Sequence, residues 1–168
     1  DAGIPAAYGK ARAETGRLQE AANVLGRAHS PDRPDWRILS ALGAVADQSG
    51  DHALAQSYYG AALKIAPGEP SVLSNQGLSY ALAKRLPEAE TVLREASAHP
   101  RADLRVRQNF ALVLGLQGKF GDAETVLRQD LAPEEASTHL ASMKRLIAQQ
   151  NSWSAIRGAD ARPGKSRA

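Results

Sequence analysis

The stretch WRILSALGAVADQSGDHALAQSYYGAALKIAPGE, Trp36 to Glu69, decides the fold. Its apolar residues fall at helical spacing in two runs with a glycine between them, Gly50, so it predicts a helix A, a tight turn and a helix B. Leu39, Leu42, Gly43, Ala46, Ala55, Tyr59 and Pro67 stand at the offsets of the tetratricopeptide pattern W-x2-L-G-x2-Y…A-x3-F…P. Working outward, windows of 34 residues beginning at Ala2, Trp36, Pro70 and Leu104 align without a gap. Position 8 of these windows reads Gly9, Gly43, Gly77 and Ala111, position 15 reads Gly16, Gly50, Lys84 and Gly118, and position 20 is Ala21, Ala55, Ala89 and Ala123. Position 24 is Leu25, Tyr59, Leu93 and Leu127, and position 27 is Ala28, Ala62, Ala96 and Asp130. Small residues recur where two helices approach too closely for a large side chain.

The windows predict helices over 3–15 and 17–29, 35–48 and 51–65, 70–84 and 86–98, and 102–117 and 120–130. Pro34, Pro67, Pro70 and Pro100 fall between helices, and Pro87 sits in a first turn, where proline is tolerated. A ninth helix is expected over 133–150, opened by Pro133, Glu134 and Glu135 and carrying an apolar stripe of Leu140, Met143, Leu146 and Ile147. The expectation is an all-α, right-handed superhelix of four helix-turn-helix repeats (1–35, 36–69, 70–103, 104–132), closed by a capping helix at 133–150. Residues 151–168 are expected to form a basic tail without fixed structure, with Trp153 pinning its start.

Composition excludes several functions. The chain of 168 residues has a net charge of +3 and a pI near 9.4. Arg157, Arg162, Lys165 and Arg167 against Asp160 account for that whole excess, so residues 1–156 balance and no nucleic-acid partner is expected. With no cysteine there is no disulfide, thiolate metal site or cysteine nucleophile. His29, His52, His99 and His139 lie too far apart to form a local ligand pair, so neither a metal nor a cofactor is expected. The longest apolar run, Phe110–Leu116, is too short to span a bilayer. No charged-then-apolar leader opens the chain, and its start at Asp1 reads as a processed or trimmed end.

Gly115, Gly118 and Gly121 beside Lys119 suggest a phosphate loop, but Phe120 stands where that loop needs a hydroxyl for magnesium. Their register instead makes Gly118 the turn between helices A and B, with Gly115 facing the groove. Asp122, Glu124 and Asp130 read as the solvated face of a helix rather than a catalytic set. No enzymatic activity is expected.

A concave face built from A helices would present positions 2, 5, 6, 9, 12 and 13 of each window. In the third these include Ser71, Asn75, Leu78 and Leu82, and in the fourth Arg105, Gln108, Asn109 and Leu112, which together form the candidate partner-binding set. The equivalent Asn75 and Asn109 can donate to and accept from a peptide backbone at once, above an apolar floor of Leu78 and Leu112. The alternative is that the asparagines bridge adjacent A helices and the C-terminal helix covers the leucines. The first two windows offer mostly small or charged groups: Ala6, Ala7, Lys10 and Glu14, then Arg37, Ser40, Ala41, Ala44 and Asp47. A carboxylate clamp for an acidic chaperone tail would use Ser40, Ala44, Asn75, Arg105 and Asn109, of which only two fit, so such a tail is not the expected ligand.

The run RVRQNFALVLGLQGKFGDAETVLRQDLAPEEASTHLASMKRLIAQQNSW, Arg105 to Trp153, resembles the end of the TadD-type tetratricopeptide proteins of the tight-adherence (Flp) pilus system. SNQGLSYALAKRLPEAETVLREA, Ser74 to Ala96, is similar to that family's penultimate repeat. The specific parts are RVRQN, LVLGLQG and the DL.PEEA run into the last helix. The resemblance implies a non-enzymatic pilus-assembly scaffold whose partner is the outer-membrane secretin or another component of that system. It also implies a periplasmic protein held at the outer membrane through a lipid anchor, whose cysteine this sequence lacks. Two other readings compete with it: a cytoplasmic chaperone or adaptor for secreted proteins, and an interaction domain of a larger enzyme.

Overall fold

The computed structural model describes the backbone of residues 3–160 and the side chains of residues 14–152. Among them are eight α-helices and no strand: α1 (Gly3–Ala28), α2 (Trp36–Gln48), α3 (His52–Ile65), α4 (Pro70–Leu82), α5 (Leu86–Ala98), α6 (Leu104–Leu116), α7 (Phe120–Leu127) and α8 (Pro133–Asp160). The chain is an all-α helical repeat. Pairs α2/α3, α4/α5 and α6/α7 are hairpins, and each packs on the next through its neighbouring helices.

The three hairpin turns share one device. Gly50, Lys84 and Gly118, all at position 15, adopt φ of 82°, 61° and 79°. That left-handed conformation ends an A helix at no steric cost for glycine and at about 1 kcal/mol for lysine. Three helix starts, those of α2, α3 and α6, are then fixed by side chains: Asp35 accepts from Arg37 N, Asp51 from Leu54 N and Asp103 from Val106 N, at 2.9, 3.1 and 3.0 Å.

Packing explains the small residues. A Cβ at Gly43 would lie 2.5 Å from the Tyr59 ring, and one at Gly77 would lie 2.5 Å from Leu93 Cγ. Position 8 is therefore small because position 24 of the same hairpin presses on it. Ala55, Ala62, Ala89, Ala96 and Ala123 are all fully buried between helices. The largest apolar cluster joins Leu93, Phe110, Leu114 and Leu127 to Ala136, Leu140 and Met143 of α8, so the C-terminal helix seals the last hairpin.

Two elements differ from the sequence expectation. The first window makes one continuous helix rather than two, because nothing around Gly16 stops it. Arg17 and Leu18 offer neither a cap like Asp51 nor a proline like Pro87; the turn at Gly118 lacks both as well, but there α7 packs on both α6 and α8, whereas α1 meets only α2 among the described helices, and a single glycine inside a helix costs only about 1 kcal/mol. At the other end α8 does not stop at Gln150 but runs to Asp160, since no proline follows Pro133 until Pro163. The expected tail is thus helical over 151–160. Its residues 161–168, the pinning role of Trp153 and the side chains of Ala6, Ala7, Gly9 and Lys10 lie outside the described residues.

Polar ties cross the apolar contacts. Asp47 of α2 accepts from Tyr59 Oη (2.9 Å) and Ser79 Oγ (2.7 Å) and pairs with His52 Nδ1 (2.8 Å), joining α2, α3 and α4. Glu69, before α4, is held by Arg101 at 2.7 Å and Ser71 at 3.2 Å, while Glu90 of α5 takes Lys119 at 2.8 Å and Gln117 at 3.0 Å. Burial pushes the Glu69 carboxyl up, but the hydrogen bond and charge of Arg101, with Ser71, outweigh it, and the net shift is downward. For Glu90 the hydrogen bond from Lys119 leads, burial opposes, Gln117 and Arg94 add, and the carboxyl again lies below its ordinary value. Lowered carboxylates stabilise the fold above their unfolded pKa of about 4.3, and that stability is lost as pH falls through the lower folded values. Thermal melts should therefore weaken below about pH 4.3, and Glu69→Gln with Glu90→Gln should flatten that acid limb. An unchanged slope in the double variant would place the acid sensitivity elsewhere.

Candidate protein-binding groove

The candidate residues lie on two neighbouring A helices, Ser71, Asn75, Leu78 and Leu82 on α4 and Arg105, Gln108, Asn109 and Leu112 on α6. Part of this set does internal work. Asn75 Nδ2 donates to Ser40 Oγ at 3.1 Å, and Asn109 Nδ2 donates to Ser74 Oγ at 2.9 Å, so each asparagine ties its A helix to the previous one. Ser71 donates to Glu69. The bridging role expected as the alternative for the asparagines is thus present, and it leaves each amide oxygen and one N–H outside that bond.

Position 5 turns inward in the second and third windows, where Ser40 and Ser74 are buried as the acceptors of these bonds, whereas Gln108 at that position in the fourth is only half-buried. Position 12 is not one either. Asp47 is turned into the interior, and a Cβ at Gly115 would lie 2.6 Å from Met143 Sδ. Gly115 thus makes room for α8 and does not open the groove. What faces outward is Leu82, 58% exposed, Leu112, 37% exposed, Ser71 and Arg105, while Leu78 is half-buried.

Between α6 and α8 lies a cleft of about 280 Å³. Gln108, Asn109 and Leu112 form one wall, and His139, Ser142, Met143 and Leu146 form the other. Leu146, expected in the sealing stripe, is 66% exposed and belongs to the cleft. Helix α8 therefore has two faces at adjacent registers, with Ala136, Leu140 and Met143 inward and His139, Ser142 and Leu146 along the cleft. The spacing of 139, 142 and 146 was a signal available in the sequence, hidden by the stronger apolar stripe beside it. A shallower extension of the cleft reaches Glu134, Glu135 and Thr138.

The carboxylates outside the groove are engaged or solvated. Asp130 lies beyond the end of α7 and is ion-paired with Arg107, whose Nη2 also donates to Ala102 O at 2.9 Å. Glu124 pairs with Arg128 at 3.3 Å, and Asp122 is exposed. Among the described residues no group of three His, Asp or Glu is placed to hold a metal ion, and no helix is long and apolar enough to cross a membrane.

No protein-family model and no curated protein matches the sequence. Solved structures of MamA do match the fold: a MamA mutant has a TM-score of 0.59 at 19% identity, with 90% of this chain and 91% of that one covered. The fold is that of a tetratricopeptide-type repeat. MamA MSR-1 superposes with a TM-score of 0.53 at 19% identity over 84% of this chain and 92% of its own, and MamA AMB-1 with 0.55 at 19% over 84% and 80%. At this identity the likeness concerns the helical repeat architecture, and the groove's residues are this chain's own.

Proposed function

We propose that the chain is a non-enzymatic scaffold that holds a segment of a partner protein across α4, α6 and α8. The observation that carries this reading is the cleft between α6 and α8, where Leu112 and Leu146 stay uncovered beside the amides of Gln108 and Asn109. Apolar side chains left open beside polar groups that can serve a peptide backbone suit a bound segment better than a small charged ligand. The MamA fold, another array of paired helices, agrees with a binding rather than a chemical role.

The partner we propose is the secretin, or another component, of a tight-adherence pilus, met on the periplasmic side of the outer membrane. What supports this finer reading is the sequence resemblance over Arg105–Trp153. Its specific runs RVRQN and LVLGLQG carry Arg105, Gln108, Asn109 and Leu112, and the DL.PEEA run opens the helix that forms the opposite wall. The test is capture of a purified tight-adherence secretin. Leu112→Asp with Leu146→Asp changes two exposed side chains, so the melting temperature should move by only about 2 °C. Binding should fall by about tenfold or more, because two apolar anchors become charges that must be desolvated. Undiminished capture by the double variant would reject the cleft as the site.

A further inference from the structure

The junctions between successive A helices and the capping helix are not closed alike. Asn75 ties α4 to α2 at 3.1 Å and Asn109 ties α6 to α4 at 2.9 Å. At the last junction Gln108 of α6 and His139 of α8 stand on opposite walls of the cleft and share no hydrogen bond, and neither side chain has a partner among the described residues. The cleft lies where the tie is missing. Along α8 it is sorted by chemistry. Glu135, Ser142 and Leu146 fall within about 40° of one another around the helix, so they form one stripe. Glu134 and Glu135 border one end of the cleft, exposed and without an ion pair among the described residues, while Leu112 and Leu146 leave the other end apolar. No lysine or arginine lines either part. Of the cations with described side chains on the two walls, Arg107 is held by Asp130 and Lys144 lies over the Phe120 ring at 5.0 Å. Arg145 donates to Ser142 Oγ at 3.3 Å, near the apolar end, and Arg105 is exposed one turn before Gln108.

We propose that the segment held in this cleft is an extended one of basic and apolar character. A lysine or arginine meets Glu134 and Glu135, and a large apolar side chain about five residues away fills the space between Leu112 and Leu146. The inference rests on the reading of the cleft as a partner site and names the chemistry of what enters it. Glu135 and Leu146 are eleven residues apart on α8, a rise of about 16 Å, which an extended chain covers in about five residues at roughly 3.3 Å each. An extended main chain also brings unpaired N–H and C=O groups to Gln108 and His139, whereas a helix would satisfy its own and leave both side chains idle. Charge sets which end is which. The two unpaired carboxylates favour a cation at their end, and Arg145 disfavours one beside the leucines.

A displayed library of random dodecapeptides selected on the immobilised chain tests this, with the enriched peptides then synthesised and their affinities measured at low and high salt. The enriched peptides should carry lysine or arginine about five residues from leucine, isoleucine, phenylalanine or methionine. Glu134→Gln with Glu135→Gln should weaken their binding about fivefold at low salt and less at high salt, with helicity retained. Leu112→Asp with Leu146→Asp should abolish it. Peptides that require the two leucines but lack the basic residue, or bind the glutamine variant equally well, overturn this inference and leave the cleft standing as a partner site. A recurring spacing of three, four or eleven residues between cation and apolar group would mark a helical occupant and overturn it too. Peptides indifferent to Leu112 and Leu146, or no enrichment at all, overturn both readings.

Discussion

Asp47→Ala should cost about 3 kcal/mol, seen as a fall of roughly 10 °C in the melting midpoint at neutral pH. The side chain is 9% exposed, and the two hydroxyls it accepts from belong to Tyr59 and Ser79, which are 1% and 0% exposed. Burial first, then the hydrogen bond and charge of Asp47, hold the Tyr59 phenol far above its ordinary pKa, so it stays a donor at any working pH. Removing the carboxylate leaves both hydroxyls unpaired in the interior, each at about 1–3 kcal/mol. A cycle isolates the cause. Tyr59→Phe alone should destabilise by about 1–2 kcal/mol, whereas in the Asp47→Ala background it should be neutral or stabilising, because an orphaned donor is then removed. Equal losses in both backgrounds would show that the carboxylate is not what Tyr59 serves.

Gly77→Leu should be as damaging, at about 3 kcal/mol, through the opposite fault of too much volume. Its Cβ would lie 2.5 Å from Leu93 Cγ and 2.9 Å from Leu93 Cδ1, and Leu93 is fully buried. The better helix propensity of leucine returns only about 1 kcal/mol, so the overlap decides the sign. Urea unfolding should show a lower midpoint with α4 and α5 driven apart. A midpoint equal to that of the unsubstituted chain would mean that the hairpin can open at that level without loss.

Much of the fold was legible because a repeat records its packing several times over. Position 8 is small, position 24 large and position 20 alanine in windows that make hairpins, so one physical rule could be read in parallel copies. The ends were less legible for the same reason: they have a neighbour on one side only. At Gly16 the register promised a turn, but the local chain supplied no cap and α2 is the only described helix that α1 packs on, so local propagation prevailed. At α8 the apolar stripe announced a sealing helix and hid the second face that lines the cleft. In the candidate site, the helices and the outward leucines followed from periodicity, whereas the fate of each polar group did not. Spacing could not tell that Asp47 turns inward to three partners or that Gly115 yields to Met143, since both depend on helices far away in sequence.

The bonds from Asn75 to Ser40 and from Asn109 to Ser74 give the array a grammar of succession. Each junction needs a serine at position 5 of one repeat and an asparagine at position 6 of the next. The second window has the serine of Ser40 but Ala41 after it, so it can open the series and cannot follow another member. The third has both, Ser74 and Asn75, so a copy of it could stand between itself and either neighbour with every junction satisfied. The fourth has Asn109 but Gln108 in place of the serine, so it can only close the series, and its surplus amide is what the cleft receives. Beginning, middle and end are thus written in two adjacent side chains, and the number of junctions is set by chemistry as well as by chain length.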